Sequence, residues 1–305
     1  MATIMITGAN TGLGYEVTRQ LLRQDHRVVA ACRSLDKARQ VQAALAADTP
    51  DRLVPVELDL ASLHSVAACV CDLLVPVSAL ICNAGLSYET PTRYTRNGVE
   101  ETFGVNHLGH ALLVNLLLVQ GQPLQRILLV SSDAHNPDKT KGFFPAPDLL
   151  PLEGLAYPAD RPGDKPGVVG ARRYVNSKLC NVLFAYELAR RLPAYGYPDC
   201  RVNAFNPGFV PETNLGRGTS PVNRWLLRHV LPRMRWLLPG IRSVATSASD
   251  MIACCLETEA SGLYFDGRTP VASSGLSYDT RLAADLWDLS RDLCQRLLPG
   301  TPWLD

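Results

Sequence analysis

Tyr174 and Lys178 stand four residues apart in Tyr174-Val175-Asn176-Ser177-Lys178. On a helix that spacing places a phenol and an ammonium on one face. A fixed positive charge favours the phenolate, so the phenol is expected to fall from its ordinary pKa of about 10 toward neutrality. A tyrosine tuned in this way passes a proton to or from a substrate oxygen. The alternative is a surface pair on an ordinary helix, and other residues must decide between them. A second motif lies near the other end of the chain, Gly8-Ala9-Asn10-Thr11-Gly12-Leu13-Gly14. Glycines permit a tight turn and let an anion approach the free N–H groups of a helix start. The spacing G-x-x-x-G-x-G differs from the best-known dinucleotide fingerprint, G-x-G-x-x-G. An ordinary left-handed turn is the alternative here. A short apolar strand before it and an amphipathic helix after it give the order a phosphate cradle needs.

Further candidates fall just beyond apolar runs. The run Arg27 to Ala31 ends in Cys32-Arg33-Ser34, with Lys37 one turn on and no carboxylate before Asp36. An acid at this place holds a ribose 2′-OH, whereas Arg33 grips a 2′-phosphate with two parallel N–H bonds. The expected dinucleotide is therefore NADP(H), unless Arg33 is simply a solvated residue at a helix start. Asp59-Leu60 follows the next run, and Asp59 can accept a bond from an adenine amino group or cap a helix. Asn83-Ala84-Gly85 and Ser131-Ser132 end two later runs, and Asn206-Pro207-Gly208 a third. Asn106 falls inside a helical stretch, where asparagine competes with the backbone, so a bound water or a local kink is expected there. His107 and His110 are three apart with no third ligand nearby, so structural histidines are expected and no metal site.

The elements that must position these groups read off the periodicity. Strands are expected at Thr3–Thr7, Arg27–Ala31, Leu53–Leu58, Ala79–Cys82, Arg126–Val130, Arg201–Phe205 and Gly262–Phe265. Helices alternate with them: Gly12 to about Gln24, about Ser34 to Ala47, Ser62 to Leu74, about Arg96 to Leu118, the Tyr174 helix to about Leu192, Ser243 to Leu256, and about Thr280 to Leu298. Strict alternation means a doubly wound α/β domain with a parallel sheet. Residues 133–170 form a long Pro- and Gly-rich stretch without clear period. Residues 211–240 hold Trp225, Leu226, Leu227, Met234, Trp236 and Leu238. That segment reads either as a core helix or as an apolar lid over a hydrophobic substrate. Its interleaved Arg224, Arg228, Arg233 and Arg235 suit contact with a membrane surface.

The chain has 305 residues, 47% hydrophobic and 19% charged, with a formal net charge of +1. That is enough for one large core, and it gives no electrostatic basis for a nucleic-acid partner. The nine cysteines are scattered and odd in number. No disulfide framework or zinc site is expected, and the reduced, cytoplasmic compartment is the default. No signal peptide and no run long enough to span a bilayer is read from the sequence.

Taken together the motifs resemble the short-chain dehydrogenase/reductase family over nearly the whole chain. The matching pieces are Thr7 to Gly14, Asn83-Ala84-Gly85, Asn106, Ser132, Tyr174-x-x-x-Lys178 and Pro207-Gly208, in the family's order. The resemblance implies a single Rossmann-type domain with about seven parallel strands. It implies a catalytic tetrad of Asn106, Ser132, Tyr174 and Lys178. It also implies NADPH across the strand ends, with its pyrophosphate over Gly12 to Gly14. Ser132 would hydrogen-bond the substrate oxygen, Tyr174 would give the proton, and Lys178 would hold the ribose. Asn106 would anchor a water that feeds Lys178. Val210 N–H and Thr213 would fix the carboxamide and phosphate. Asn106-His107-Leu108-Gly109-His110 and Ala31-Cys32-Arg33 look like both retinol dehydrogenase-like enzymes and light-dependent protochlorophyllide reductases. Ala134-His135-Asn136-Pro137 looks particularly like the second group, which usually has cysteine where this chain has Phe209. Reduction of a hydrophobic carbonyl, C=C reduction of the protochlorophyllide type, and a silent dinucleotide-binding regulator are the readings that follow.

Overall fold

The computed structural model describes residues 1–88, 92–159, 163, 165–211 and 241–304. Eight strands form one sheet: β1 Thr3–Thr7, β2 Arg27–Cys32, β3 Leu53–Glu57, β4 Ala79–Cys82, β5 Arg126–Val130, β6 Arg201–Asn206, β7 Tyr264–Asp266 and β8 Thr269–Val271. Their order across the sheet is β3-β2-β1-β4-β5-β6-β7-β8. The first seven are parallel, as the apolar runs require, because a sheet covered on both faces shows little alternation. β8 runs antiparallel to β7 and is the strand beyond the expected seven. It escapes a sequence reading because Thr269-Pro270-Val271 is short and largely exposed, with a proline that only an edge position tolerates.

Successive strand residues point to opposite layers. Ile4, Ile6, Val28 and Ala30 join the core under α1 (Gly12–Arg23), α2 (Leu35–Leu45) and α6 (Val244–Leu256), through Val17, Leu21, Val41 and Met251. Met5, Val29 and Ala31 join the opposite core, which Val66 of α3 (Leu63–Cys71), Leu112 of α4, Leu183 of α5 and Leu286 of α7 complete. Here α4 is Glu101–Val119, α5 is Pro166–Arg191 and α7 is Thr280–Leu297. By length and composition α4 can cross a bilayer, but its apolar window is 83% buried inside the protein. It starts at Glu101 rather than Arg96. The Thr95–Gly98 turn, closed by Gly98 N–H donating to Thr95 O at 3.0 Å, comes first, and the Glu100 carboxylate then caps the helix by accepting from Phe103 N–H at 2.8 Å. Short helical turns at Asp133–His135, Pro137–Thr140 and Glu153–Ala156 lead to α5, which begins eight residues before Tyr174. All nine cysteines are free thiols, and only Cys71 is exposed.

α7 lies along α5, with Trp287 stacked on Phe184 at 5.4 Å between ring centroids. Beyond α7 the chain crosses α4, where Asn115 holds it at both ends of its amide. Its Nδ2 donates to Pro302 O at 2.8 Å and its Oδ1 accepts from Leu304 N–H at 2.9 Å. Strand order reverses between β1 and β4, so a crevice opens at their carboxyl ends, where ligands bind in such sheets.

Candidate active site

The glycine turn hangs from β2, with Gly8 N–H and Ala9 N–H both donating to Ala31 O, at 2.9 and 3.4 Å. Gly8 has φ 72° and Gly12 φ 54°, backbone that side chains resist. A Cβ on Gly14 would stand 2.3 Å from Gly8 O and 2.7 Å from Asn83 Nδ2, so the turn closes tightly on β4. Thr11 precedes α1 without donating or accepting a side-chain cap, and the first turn carries no acid. The opening N–H groups and the positive end of the helix are thus left for an anion, and this cradle fits a pyrophosphate. Asn10 and Leu13 complete it, Leu13 buried below and Asn10 half-buried at the edge.

The switch point is locked by the Thr7 hydroxyl, a role no local pattern announces. Thr7 Oγ1 accepts from Asn83 N–H at 3.0 Å and from Ala84 N–H at 2.9 Å. His110 Nε2 lies 2.9 Å from the same oxygen, and His110 Nδ1 lies 3.1 Å from Asn106 O. A carbonyl only accepts, so Nδ1 carries the proton and Nε2 accepts from the threonine hydroxyl. Burial pulls His110 down to about 4 and His107 to about 3, so both rings are neutral. His107 Nε2 meets Ser290 Oγ of α7 at 2.9 Å. The two histidines therefore serve different partners, and no set of ligands for a metal exists among the described residues.

Asn106 lies in a π-helical segment of α4, Gly104–Leu108, an irregularity of the helix at the residue for which a bound water or a local kink was expected. Its Oδ1 accepts from Leu86 N–H at 2.8 Å, and its Nδ2 donates to Leu86 O at 2.9 Å and Ser177 Oγ at 3.0 Å. The side chain thus clamps the segment that leaves Asn83-Ala84-Gly85. A Cβ on Gly85 would lie 3.3 Å from Asn106 Oδ1 and 3.5 Å from Lys178 Nζ, so both groups converge on that bare, exposed glycine.

Lys178 is buried, and its Nζ donates to Val130 O at 3.1 Å. Ser131 Oγ anchors the same residue by donating to Lys178 O at 2.7 Å. Burial lowers the Lys178 ammonium to about 8. Nζ stands 5.5 Å from the centre of the Tyr174 ring. The expected fall of the Tyr174 pKa is not found. Burial pushes it up to about 12, and the opposing influence is a hydrogen bond with Ser132, not the lysine charge. Sequence spacing placed the two groups on one face but could not register how dry that face is. Ser132 Oγ accepts from Ala134 N–H at 3.2 Å, which uses an acceptor site and not the hydroxyl proton.

The other candidates frame this centre. Arg33 and Lys37 are exposed beyond β2. Arg33 is close enough to Glu101 for its charge to favour that carboxylate, against burial that raises it. Asp59 does not cap α3, for Ser62 does so by accepting from Ser65 N–H. Asp59 Oδ1 accepts instead from Ala61 N–H at 3.2 Å, and Leu60 O packs against Gly109 of α4. After β6, Gly208 (φ 73°) donates its N–H to Asn206 Oδ1 at 3.1 Å, and Pro207 O accepts from Ser247 Oγ at 2.8 Å. Arg242 fills the space under Gly208 and pairs with Asp266 at 2.9 Å, a support no local pattern announces. Val210 is buried, and Phe209 is half exposed. Thr213 and Trp225 to Leu238 lie outside the described residues.

Three comparisons bear on this arrangement. A model of the short chain dehydrogenase family matches residues 2–141. Retinol dehydrogenase 13 of Homo sapiens is 34% identical over 292 residues, spanning 93% of this chain and 82% of the relative. Retinol dehydrogenase 14 of Mus musculus is also 34% identical, over 306 residues, 94% of this chain and 84% of the relative. A crystal structure of an uncharacterised protein from Mycobacterium paratuberculosis superposes with a TM-score of 0.70 at 30% identity, covering 97% of this chain and 94% of that one.

Proposed function

Because this chain belongs to the short-chain dehydrogenase family, in its retinol dehydrogenase-like branch, we propose that it is an NADPH-dependent reductase of a hydrophobic carbonyl compound. The oxidoreductase class comes with the family, whereas the choice of NADPH, the substrate and the residue roles are our reading. The observation that carries it is the pair of hydroxyls beyond β5, Ser132 near enough to Tyr174 to oppose the rise of its pKa, with Lys178 buried behind them. The bound dinucleotide supplies the hydride. The glycine turn and the uncapped start of α1 hold its pyrophosphate, Arg33 with Lys37 its 2′-phosphate, and Lys178 its ribose. Asp59 and Leu60 border the adenine, while Gly85, Gly208 and Val210 border the nicotinamide.

A carbonyl oxygen that gains charge during reduction needs one hydrogen bond and one proton. Ser132 gives the first, since Ala134 N–H already occupies an acceptor site on its oxygen. Tyr174 gives the second, and a phenol held protonated at neutral pH is the form in which a reduction starts. Lys178 and a water on Asn106 refill it. Phe209 has no proton to give, so the reaction runs in the dark. The free cysteines favour the reduced cytoplasmic compartment.

The test is to follow NADPH and NADH oxidation with a panel of hydrophobic aldehydes and ketones, retinaldehyde among them, in darkness. Turnover with NADPH favoured is expected, and Arg33→Asp should reverse the preference, because a charged bidentate contact worth roughly 1.5–3 kcal/mol is lost. Tighter binding of NADH than NADPH by the wild-type protein would refute the cofactor assignment, and an inert panel the substrate class.

A further inference from the structure

His135 has no part in the site as described, yet it touches the backbone of Ser132. It ends the Asp133–His135 turn and is fully buried. Its Nδ1 stands 2.6 Å from Ser132 O, and its Nε2 stands 3.3 Å from the backbone N of Ser274. A carbonyl only accepts and an amide N–H only donates. The ring is therefore the neutral Nδ1–H form, giving a hydrogen bond to Ser132 and taking one from Ser274. The Tyr264 ring meets it edge-on at 5.0 Å between centroids and fixes its plane.

Ser274 is a firm anchor. Ser273 N–H donates to the Tyr278 hydroxyl at 3.1 Å, and Ser273 Oγ pairs with Tyr186 Oη at 2.8 Å and Ser277 Oγ at 2.6 Å. Ser277 Oγ donates in turn to Ser274 O at 2.6 Å, and Tyr186 stacks on Tyr278. The Ser132 side is held within its own turn: Ser132 O also accepts from His135 N–H at 3.2 Å and Ser132 Oγ from Ala134 N–H at 3.2 Å, so the ring is its tie to a distant element. We propose that His135 is a positioning residue, bridging the Ser132 carbonyl to the Ser274 amide and thereby fixing the direction in which the Ser132 hydroxyl points. This rests on the reading of Ser132 as the donor to the substrate oxygen. Burial also lowers the His135 pKa, which keeps the ring in the neutral form that the bridge needs.

Three variants separate the two halves of the bridge. The amide nitrogen of asparagine stands where Nδ1 does, and the amide oxygen of glutamine stands where Nε2 does. Amide hydrogen exchange at Ser274, in protein shown folded by near-ultraviolet circular dichroism, should quicken in His135→Leu and His135→Asn and stay protected in His135→Gln. With NADPH and an aldehyde substrate, His135→Leu should lower kcat by about 10- to 100-fold, the cost of a misdirected group, with KM for NADPH within about twofold. His135→Asn should recover most of that loss and His135→Gln little of it. Unchanged Ser274 exchange in His135→Leu would overturn the bridge whatever the activity. Unchanged kcat, or a rise in KM for NADPH that accounts for the whole loss, would overturn the positioning role. A wild-type protein that turned over no aldehyde would instead remove the Ser132 assignment and the positioning role with it, and exchange alone would then decide the bridge.

Discussion

At the scale of single residues the site is governed by dryness. Tyr174 and Lys178 move in opposite directions because burial disfavours the charged form of each. Replacing the Tyr174 hydroxyl is the cleanest probe of proton donation. Tyr174→Phe keeps the ring and should cut turnover by about 10²–10⁴-fold while NADPH still binds, read by fluorescence titration beside steady-state rates. Lys178 makes a stability prediction whose sign is fixed. Its folded pKa of about 8 lies below the unfolded 10.5, so the unfolded chain binds more protons between those values. Stability therefore rises with pH across that window, and below it the penalty of a buried ammonium is present in full. Lys178→Met removes the penalty, so the variant's stability relative to wild type should decline from pH 7 to pH 10 by on the order of 3 kcal/mol. Urea unfolding at both pH values measures this, and a constant difference would contradict it.

Elements meet through glycines, and here the sequence is only partly informative. Glycine inside a helix usually costs about 1 kcal/mol against alanine. Gly109 of α4 is an exception, because a Cβ there would stand 2.6 Å from Leu60 O, a backbone atom that cannot step aside. Gly109→Ala should destabilise by about 1–3 kcal/mol despite its better propensity. Gly154→Ala, with nothing within 4 Å, should be neutral or mildly stabilising. Thermal melts of both variants check the pair. The alternation of strand and helix was legible because buried parallel strands and amphipathic helices have distinct periods, and Ile4-Met5-Ile6 or Val17 with Leu21 carry that signal locally. β8 was not, being too short and exposed to show a period. Nor were the partnerships of Thr7 with His110 or Arg242 with Asp266, since each joins residues far apart in the chain by a contact only the fold creates. The order of the site motifs could be read, but the direction of the Tyr174 pKa needed the packing around it.

For the molecule as a whole the two neutral histidines of α4 tie its layers together, His107 to α7 and His110 to β1. Both have folded pKa values well below the ordinary 6.5, at about 3 and about 4. Below pH 6.5 the unfolded chain takes up protons the fold refuses, so stability falls with acid. The slope approaches about 1.4 kcal/mol per pH unit for each histidine. Urea titrations from pH 7 down to pH 5 should show that decline, and His107→Gln should lessen it. An unchanged slope would assign the acid response to other groups.

The sheet order also fixes when the molecule can come together. Thr3 pairs with Arg27, Ile4 with Ala79, Arg126 with Arg201 and Ala204 with Tyr264, so every parallel pairing closes a loop of dozens of residues. Among the described strands only β7 and β8 are joined by a tight turn, the two residues between Asp266 and Thr269. Each parallel pairing must pay its loop entropy before any contact repays it, which makes a sheet of this kind slow to form. The crevice between β1 and β4 cannot exist until residues near Thr7 and Asn83 have found each other. A newly made chain therefore carries Ile4, Met5 and Ile6 uncovered until those partners arrive, and apolar segments exposed in this way are the ones through which folding chains associate.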